Sequence, residues 1–328
     1  MQVFYDAKPE LLARSAIALG FFDGVHPGHQ VVIGKAVEEA KVIGATAGVV
    51  TFRDHPRALT RGVHPLLLTV IEQRLELFER LGVEATLVLT FSEDLCRLSP
   101  REYVEKVLVG AMGARSICVG HNHHFGRDRE GNPELLRQMG QELNFGVHVA
   151  PMVYVDGLEV SSSRIREEIA SGHVDKASQL LSRHYSILGS VVKGEGRGRK
   201  LGFPTANLNV RPFQMVPAVG VYAGRALFAS GEKIACVINV GHRPTFDDGQ
   251  AGTPPLVEAH LFDYEGDLYD RTMQLQFVKF LRCEKKFDGV DALKRQIESD
   301  CAAAREVLAA DAKRLPTEAA GPEQKLPA

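Results

Sequence analysis

Three stretches of this 328-residue sequence combine residue types and spacings that can do chemistry. The first is Gly20-Phe21-Phe22-Asp23-Gly24-Val25-His26-Pro27-Gly28-His29, where an apolar run ends and a helical pattern begins. Open α/β sheets bind ligands at that end of their strands, and helix N-terminal amides favour anions. Two imidazoles beside a tight glycine turn can donate to phosphate oxygens and to charge developing at phosphorus. A lone H-x-x-H is incidental more often than not; position and dense glycines favour the chemical reading here. The second stretch, Ser161-Ser162-Ser163-Arg164-Ile165-Arg166, reads either as a polyphosphate clamp or as a helix cap followed by an exposed arginine. The third runs Gly194-Glu195-Gly196-Arg197-Gly198-Arg199-Lys200-Leu201-Gly202-Phe203-Pro204-Thr205-Ala206-Asn207. It matches neither the Walker A loop nor the dinucleotide-binding glycine pattern. Its amides and cations can both face phosphates, and Thr205 and Asn207 offer two neutral oxygens suited to a Mg²⁺ that keeps several waters. His121, His123 and His124 raise zinc, but no fourth ligand lies nearby in sequence.

The elements that must carry these residues change character midway. In the first half, strands are expected over Ser15–Leu19, Ala47–Thr51, Ala85–Leu89, Ser116–Val119 and Val147–Val153. Helices are expected over Gln30–Ile43, Thr69–Leu81, Pro100–Met112 and Pro133–Leu143. Ser99-Pro100-Arg101-Glu102 reads as a capping box, and Asn132-Pro133 is a similar start. Such alternation implies a parallel sheet with helices on both faces. After about Tyr185, runs Ile187–Val192, Val219–Phe228, Lys233–Val240, Leu256–Phe262 and Met273–Leu281 are separated by turns with no helix between them. That is the pattern of a small closed barrel, followed by an amphipathic helix over Val290–Ala310. The expected fold class is therefore α/β plus all-β. Domains are expected at 1–184 and 185–312, with a disordered Pro-, Glu- and Ala-rich tail over 313–328.

Composition excludes more than it assigns. A formal net charge of −2, with neither half basic, argues against a nucleic-acid partner. No run approaches the length of a membrane span, and residues 1–19 lack a signal pattern. Five scattered cysteines without C-x-x-C are expected to be free thiols in a reducing cytoplasm.

The first stretch resembles the H-x-G-H signature of nucleotidyltransferases, and at full length their FAD-synthetase branch. Thr51-Phe52 with His55-Pro56 resembles that branch's T-F-x-x-H-P element. Gly120, Asn122, Phe125, Gly126 and Gly131 resemble its flavin-side loop, and Ser161–Arg166 its S-S-T-x-I-R. Ser163 stands where Thr is usual and Asn122 where Asp is frequent; a hydroxyl and an acceptor are kept. The third stretch resembles the riboflavin-kinase signature. The match continues through Gly220-Val221-Tyr222-Ala223, Asn239-Val240-Gly241, Arg243-Pro244-Thr245, Glu258-Ala259-His260-Leu261 and Phe280-Leu281-Arg282 with Glu284, Lys286 and Phe287. Asp270 departs from a usual glycine after Tyr269.

Over about residues 10–310 the chain is thus similar to the bifunctional bacterial riboflavin kinase/FAD synthetase family. The resemblance implies a Rossmann-like nucleotidyltransferase domain followed by a Greek-key-like barrel kinase domain. It implies riboflavin, FMN, FAD and ATP as substrates or products, Mg²⁺ as cofactor, and a monomer or weak homo-oligomer. In the first domain it implies an ATP site at Gly20, Phe21, Asp23, Gly24, His26, Gly28, His29, Ser162, Ser163 and Arg166. His26, His29 and Arg166 are its catalytic members. FMN would lie on Thr51, His55, Pro56, Asn122, Phe125 and Gly126. In the second domain it implies ATP on Gly194, Gly196, Arg197, Gly198, Arg199, Lys200, Gly202, Pro204, Thr205 and Asn207. Flavin would lie on Arg282, Glu284, Phe287 and Glu258. A strand carboxylate is exposed more often than catalytic; the resemblance makes Glu258 the general base. A dedicated zinc site at the three histidines is not expected, because the loop match sets them beside the flavin.

Overall fold

A computed structural model describes residues 1–55, 65–194, 196–241 and 255–313. The expected tail, Pro56 and the Arg243-Pro244-Thr245 piece lie outside the described residues, apart from Lys313. The chain divides into two compact units, Met1–Ser162 and Ser163–Ala328.

The first unit is a six-stranded parallel sheet. Its strands are β1 (Gln2–Tyr5), β2 (Ser15–Leu19), β3 (Thr46–Phe52), β4 (Ala85–Leu89), β5 (Ala114–Gly120) and β6 (Gly146–Ala150). Their order is β1-β4-β3-β2-β5-β6. Side chains alternate between two cores. Ile17, Leu19, Val50, Ile117 and Val119 face one, and Ala18, Val49 and Cys118 the other. Helix α1 (Pro27–Ile43) and α2 (Ile71–Arg80) bury Val32, Ile33, Ala36 and Phe78 in the second core. The first core is covered from residues 100–111 and from a helix over Pro133–Leu143.

The expected capping box forms, with Ser99 and Glu102 exchanging backbone hydrogen bonds at 3.0 and 3.2 Å. The helix it starts is α-helical only over Pro100–Tyr103; Val104–Ala111 is π-helical. The widened turn brings the Glu105 carbonyl to 2.8 Å from where a Cβ on Gly110 would sit, so glycine suits that turn. Two further differences come from short elements. The run expected over Val147–Val153 ends at Ala150, and a hairpin joins Tyr154–Val155 to Leu158–Glu159. Its turn is Asp156-Gly157, both with positive φ, as a two-residue hairpin turn requires. Strand β1 is a four-residue edge, too short for periodicity to reveal.

In the second unit, helices Ser162–Ala170 and Val174–Leu181 precede the barrel. The second packs on the first and last barrel strands, so the compact unit begins earlier than the switch to strand rhythm near residue 185. The barrel strands continue the numbering after the hairpin's two: β9 (Tyr185–Val192), β10 (Ala206–Val210), β11 (Gly220–Leu227), β12 (Lys233–Gly241), β13 (Leu256–Leu261) and β14 (Thr272–Arg282). They close antiparallel in the order β10-β13-β12-β11-β14-β9, with β10 returning beside β13 in Greek-key fashion. A one-turn helix over Arg197–Leu201, inside the glycine-rich stretch, interrupts the expected helix-free pattern, and the unexpected strand β10 follows as that stretch ends. Asp270 adopts φ 62°, so it takes the left-handed turn position where the resemblance expects glycine. The C-terminal helix, Val290–Ala312, packs Ala304 and Leu308 on Val221, Ala223, Val237 and Val278 of the barrel. Its far end is tied by Asp311, which accepts from Arg225 at 2.8 Å and His184 at 3.0 Å.

Candidate functional site

In the first unit the order of the parallel strands switches direction between β2 and β5, the crevice where open sheets bind ligands. The three expected motifs leave the carboxyl ends of adjacent strands there: Gly20–His29 after β2, Thr51 to His55 at β3, and Asn122–Gly126 after β5. His26 caps α1, with Pro27 in its first turn, and its carbonyl accepts from the His29 and Gln30 amides at 2.7 and 3.0 Å. The His26 and His29 rings stack with centroids 3.6 Å apart, and Phe22 meets His29 edge-on. Both imidazoles are thus held at a helix N-terminus, where an anion is favoured.

Two expected ligands make structural hydrogen bonds. Asp23 is buried, and its carboxylate accepts from the Leu68 and Thr69 amides at 3.1 and 2.9 Å. Thr51 is fully buried, and its hydroxyl donates to the Phe21 carbonyl at 3.0 Å. Ser162 donates to the Asp23 carbonyl at 2.9 Å. Ser163 and Arg166 stand in the first two turns of the helix opening the second unit. His55 packs edge-on against Phe21, and Asn122 is exposed. Gly126, at φ 72°, lies against Pro100, with no room for a Cβ.

Sequence reasoning missed Arg74. It is fully buried, and its guanidinium donates to the carbonyls of Phe21 (2.9 Å), Phe52 (2.8 Å) and Arg53 (2.8 Å) and to the Thr51 hydroxyl (3.3 Å). It also covers the Phe21 ring at 4.5 Å. Burial pulls its pKa down to about 10, with Asp23, Asp54 and Glu72 opposing, so it remains charged at neutral pH. An arginine inside an amphipathic helix carries no sequence mark of this role. His123 was read only as part of a metal candidate. No group of histidine, cysteine or carboxylate side chains among the described residues could hold a metal ion. Its ring instead stacks on Phe125 with centroids 6.0 Å apart, and its Nε2 is buried without a hydrogen-bond partner among the described residues. Burial first, then His124 and Arg129, push its pKa down to about 4.

In the second unit a cavity of about 1030 Å³ gathers most of the expected residues. Gly194, Gly196, Arg197, Gly198, Thr205, Asn207, Glu258, Arg282, Glu284 and Phe287 all line it. Antiparallel register sets Glu258 directly opposite Asn207 on one side and Asn239 on the other. On β13 the cavity-lining Leu256, Glu258 and His260 alternate with buried Val257, Ala259 and Leu261. A Cβ on Gly194 would sit 2.2 Å from the Asn207 amide nitrogen, and one on Gly198 would sit 3.2 Å from Thr205 Oγ1. The two glycines therefore seat the loop directly on the two neutral oxygen donors. His260 Nδ1 lies 2.8 Å from the Pro204 carbonyl; a carbonyl only accepts, so this nitrogen carries the proton. Arg199, Gly202 and Pro204 do not line the cavity, and only the backbone of Lys200 is described. Asn239, His260 and Asp300 line it unforeseen as site residues.

Comparison with known proteins covers both halves of the chain. The FAD synthetase family model matches residues 8–164 and the riboflavin kinase model residues 181–308. A bifunctional riboflavin kinase/FMN adenylyltransferase of Pseudomonas fluorescens is 38% identical, covering 94% of this chain and 98% of its own. One from Bacillus subtilis is 36% identical over 88% and 90% of the two chains. This chain belongs to the bifunctional riboflavin kinase/FMN adenylyltransferase family. A solved Streptococcus pneumoniae structure, named as a macrolide-efflux protein, shares the fold with TM-score 0.83 and 30% identity, covering 93% of this chain and 99% of that one. No helix among the described residues here is long and apolar enough to cross a membrane.

Two predictions follow from the buried cations and rings of the first unit. Arg74→Met leaves the Phe52 and Arg53 carbonyls without this donor, the Phe21 carbonyl keeping the Thr51 hydroxyl, and should cost about 3 kcal/mol, read by urea unfolding. For His123, the folded state holds the proton more weakly than the unfolded chain. Below its unfolded pKa the unfolded state is therefore favoured, and stability is lost as pH falls from about 6.5 toward about 4. His123→Phe should raise the melting temperature more at pH 5 than at pH 7.5; an equal rise at both would contradict this reading of His123.

Proposed function

We propose that the second unit phosphorylates riboflavin with ATP to give FMN and ADP, and that the first adenylylates FMN with a second ATP to give FAD and pyrophosphate. The observation that carries the reading is the single cavity that joins the glycine-rich loop, Thr205, Asn207 and Glu258. In the kinase reaction Glu258 takes the proton of the ribityl 5′-hydroxyl as its oxygen bonds to the γ-phosphorus and the bond to the β-phosphate oxygen breaks. Arg197 and the amides around Gly194–Gly198 receive the ATP phosphates, with Arg199, Lys200, Gly202 and Pro204 completing the loop. Arg282, Glu284 and Phe287 lie on the flavin side. Thr205 and Asn207 fit Mg²⁺, being neutral oxygen donors at the cavity wall, each abutted by a glycine that leaves no room for a Cβ beside it. When bound, the ion would neutralise phosphate charge.

In the adenylyl transfer an FMN phosphate oxygen attacks the α-phosphorus of ATP and pyrophosphate departs. His26 and His29 donate to the developing charge at the N-terminus of α1, beside Gly20, Gly24 and Gly28. Ser162, Ser163 and Arg166 keep the pyrophosphate-side role that their pattern assigns. Phe21 and Asp23 belong to the ATP side, and Thr51, His55, Pro56, Asn122, Phe125 and Gly126 form the flavin side; Asp23 and Thr51 also hold the turn through their hydrogen bonds. The enzyme works as a monomer or weak homo-oligomer in the cytoplasm, a compartment in keeping with its five free cysteines.

Glu258→Ala tests the two-site assignment. Chromatography of products from riboflavin, ATP and Mg²⁺ should show FMN formation abolished, while added FMN is still converted to FAD at close to the unmutated rate. Loss of both conversions in a folded variant would refute separate sites.

A further inference from the structure

The cavity's flavin side contains a charge pair that neither motif predicts. Arg282, at the end of β14, donates from Nε to both oxygens of Asp300 at 2.9 and 3.1 Å, and from Nη2 to Oδ2 at 2.7 Å. Asp300 is carried by the C-terminal helix and is only 6% exposed. Gln296, one turn earlier on that helix, donates to Asp300 Oδ1 at 2.9 Å. Arg282 Nη1 donates to the Cys283 carbonyl at 2.9 Å. Of the five guanidinium N–H groups these bonds engage three, leaving one on Nη1 and one on Nη2. Both Arg282 and Asp300 line the cavity, and Leu293 and Ile297 of the same helix line it beside them.

We propose that Asp300, braced by Gln296, is a positioning residue for flavin binding in the kinase reaction. It clamps one edge of Arg282 so that the two remaining N–H groups meet acceptor atoms of the flavin. The inference rests on the kinase reading above. An arginine at a strand end would otherwise lose its rotamer freedom on binding; the bidentate carboxylate removes that loss in advance. The helix is then a wall of the site as well as a cover for the barrel.

The test is steady-state kinetics of the full chain carrying Asp300→Asn. Asparagine keeps the volume and one acceptor but sets an amide N–H₂ against the guanidinium. The KM for riboflavin should rise roughly tenfold, as expected for a charged hydrogen bond lost, while the KM for ATP and kcat stay within about twofold. Arg282→Leu should give the same riboflavin defect, and the double variant should be no worse than either single one. An unchanged riboflavin KM, equal rises for riboflavin and ATP, or additive defects would overturn the proposal. If Asp300→Asn does not fold, Gln296→Leu carries the test, with a smaller rise confined to riboflavin. An unmutated chain that forms no FMN would overturn the kinase reading instead. The clamp is then read from quenching of riboflavin fluorescence on binding, in which Asp300→Asn should weaken affinity by a similar factor.

Discussion

The first unit depends on one buried cation. Parallel strands end by leaving carbonyl groups at their carboxyl edge without ladder partners, and β2 and β3 end side by side. Arg74 donates to three carbonyls at that edge from a single rigid fork, sharing that of Phe21 with the Thr51 hydroxyl, and no carboxylate among the described residues bonds to it. Burial lowers its pKa, so its charge is retained against a desolvation cost that the carbonyl dipoles offset. The result ties the turn carrying His26 to the strand end carrying His55 before any substrate arrives. A lysine could supply charge there, but its point-like ammonium does not offer Arg74's planar fork.

The second unit achieves positioning by register instead. A closed barrel has no free edge, so slipping one strand would move Asn207 or Glu258 to the opposite face. With Asn207, Glu258 and Asn239 in one cross-strand row, the proposed cation ligand and the proposed base are neighbours by construction. His260 then fastens the Pro204 carbonyl to the same strand, which joins the loop's exit to the proposed base.

Most of the architecture was legible because long elements carry strong periodicity. Ser15–Leu19, Ala85–Leu89 and Pro133–Leu143 fall on the expected boundaries, since each is bounded by capping or turn residues. What escaped was short or dependent on distant partners. Strand β10 has five residues and follows a glycine-rich loop, so no period can develop. The π-helical turn over Val104–Ala111 keeps an apolar face that an α-helix would share. The motif residues were named from type and spacing, and the cavity gathers most of those of the second unit, though not Arg199, Gly202 or Pro204. What spacing does not convey is that Asp23 and Thr51 also hold backbone groups of the turn and of the segment at Leu68–Thr69.

The histidine turn shows why spacing alone could not describe its shape. Its glycines invite the expectation that they carry the unusual backbone angles, and Gly24 does, at φ 85°. Yet Phe22 and Val25 also have positive φ, of 55° and 40°, and a β-branched valine there is strained. Neither residue can move away easily. Phe22 and Val25 are buried, the Val25 carbonyl accepts from Gln30 Nε2 at 3.0 Å, and the Gly24 amide donates to Thr69 Oγ1 at 2.8 Å. Thr69 is itself pinned by Asp23. The strained turn is held by a carboxylate at a motif position, next to the stacked His26 and His29 at the head of α1. Asp23 thus fixes the backbone of the turn that carries the two imidazoles.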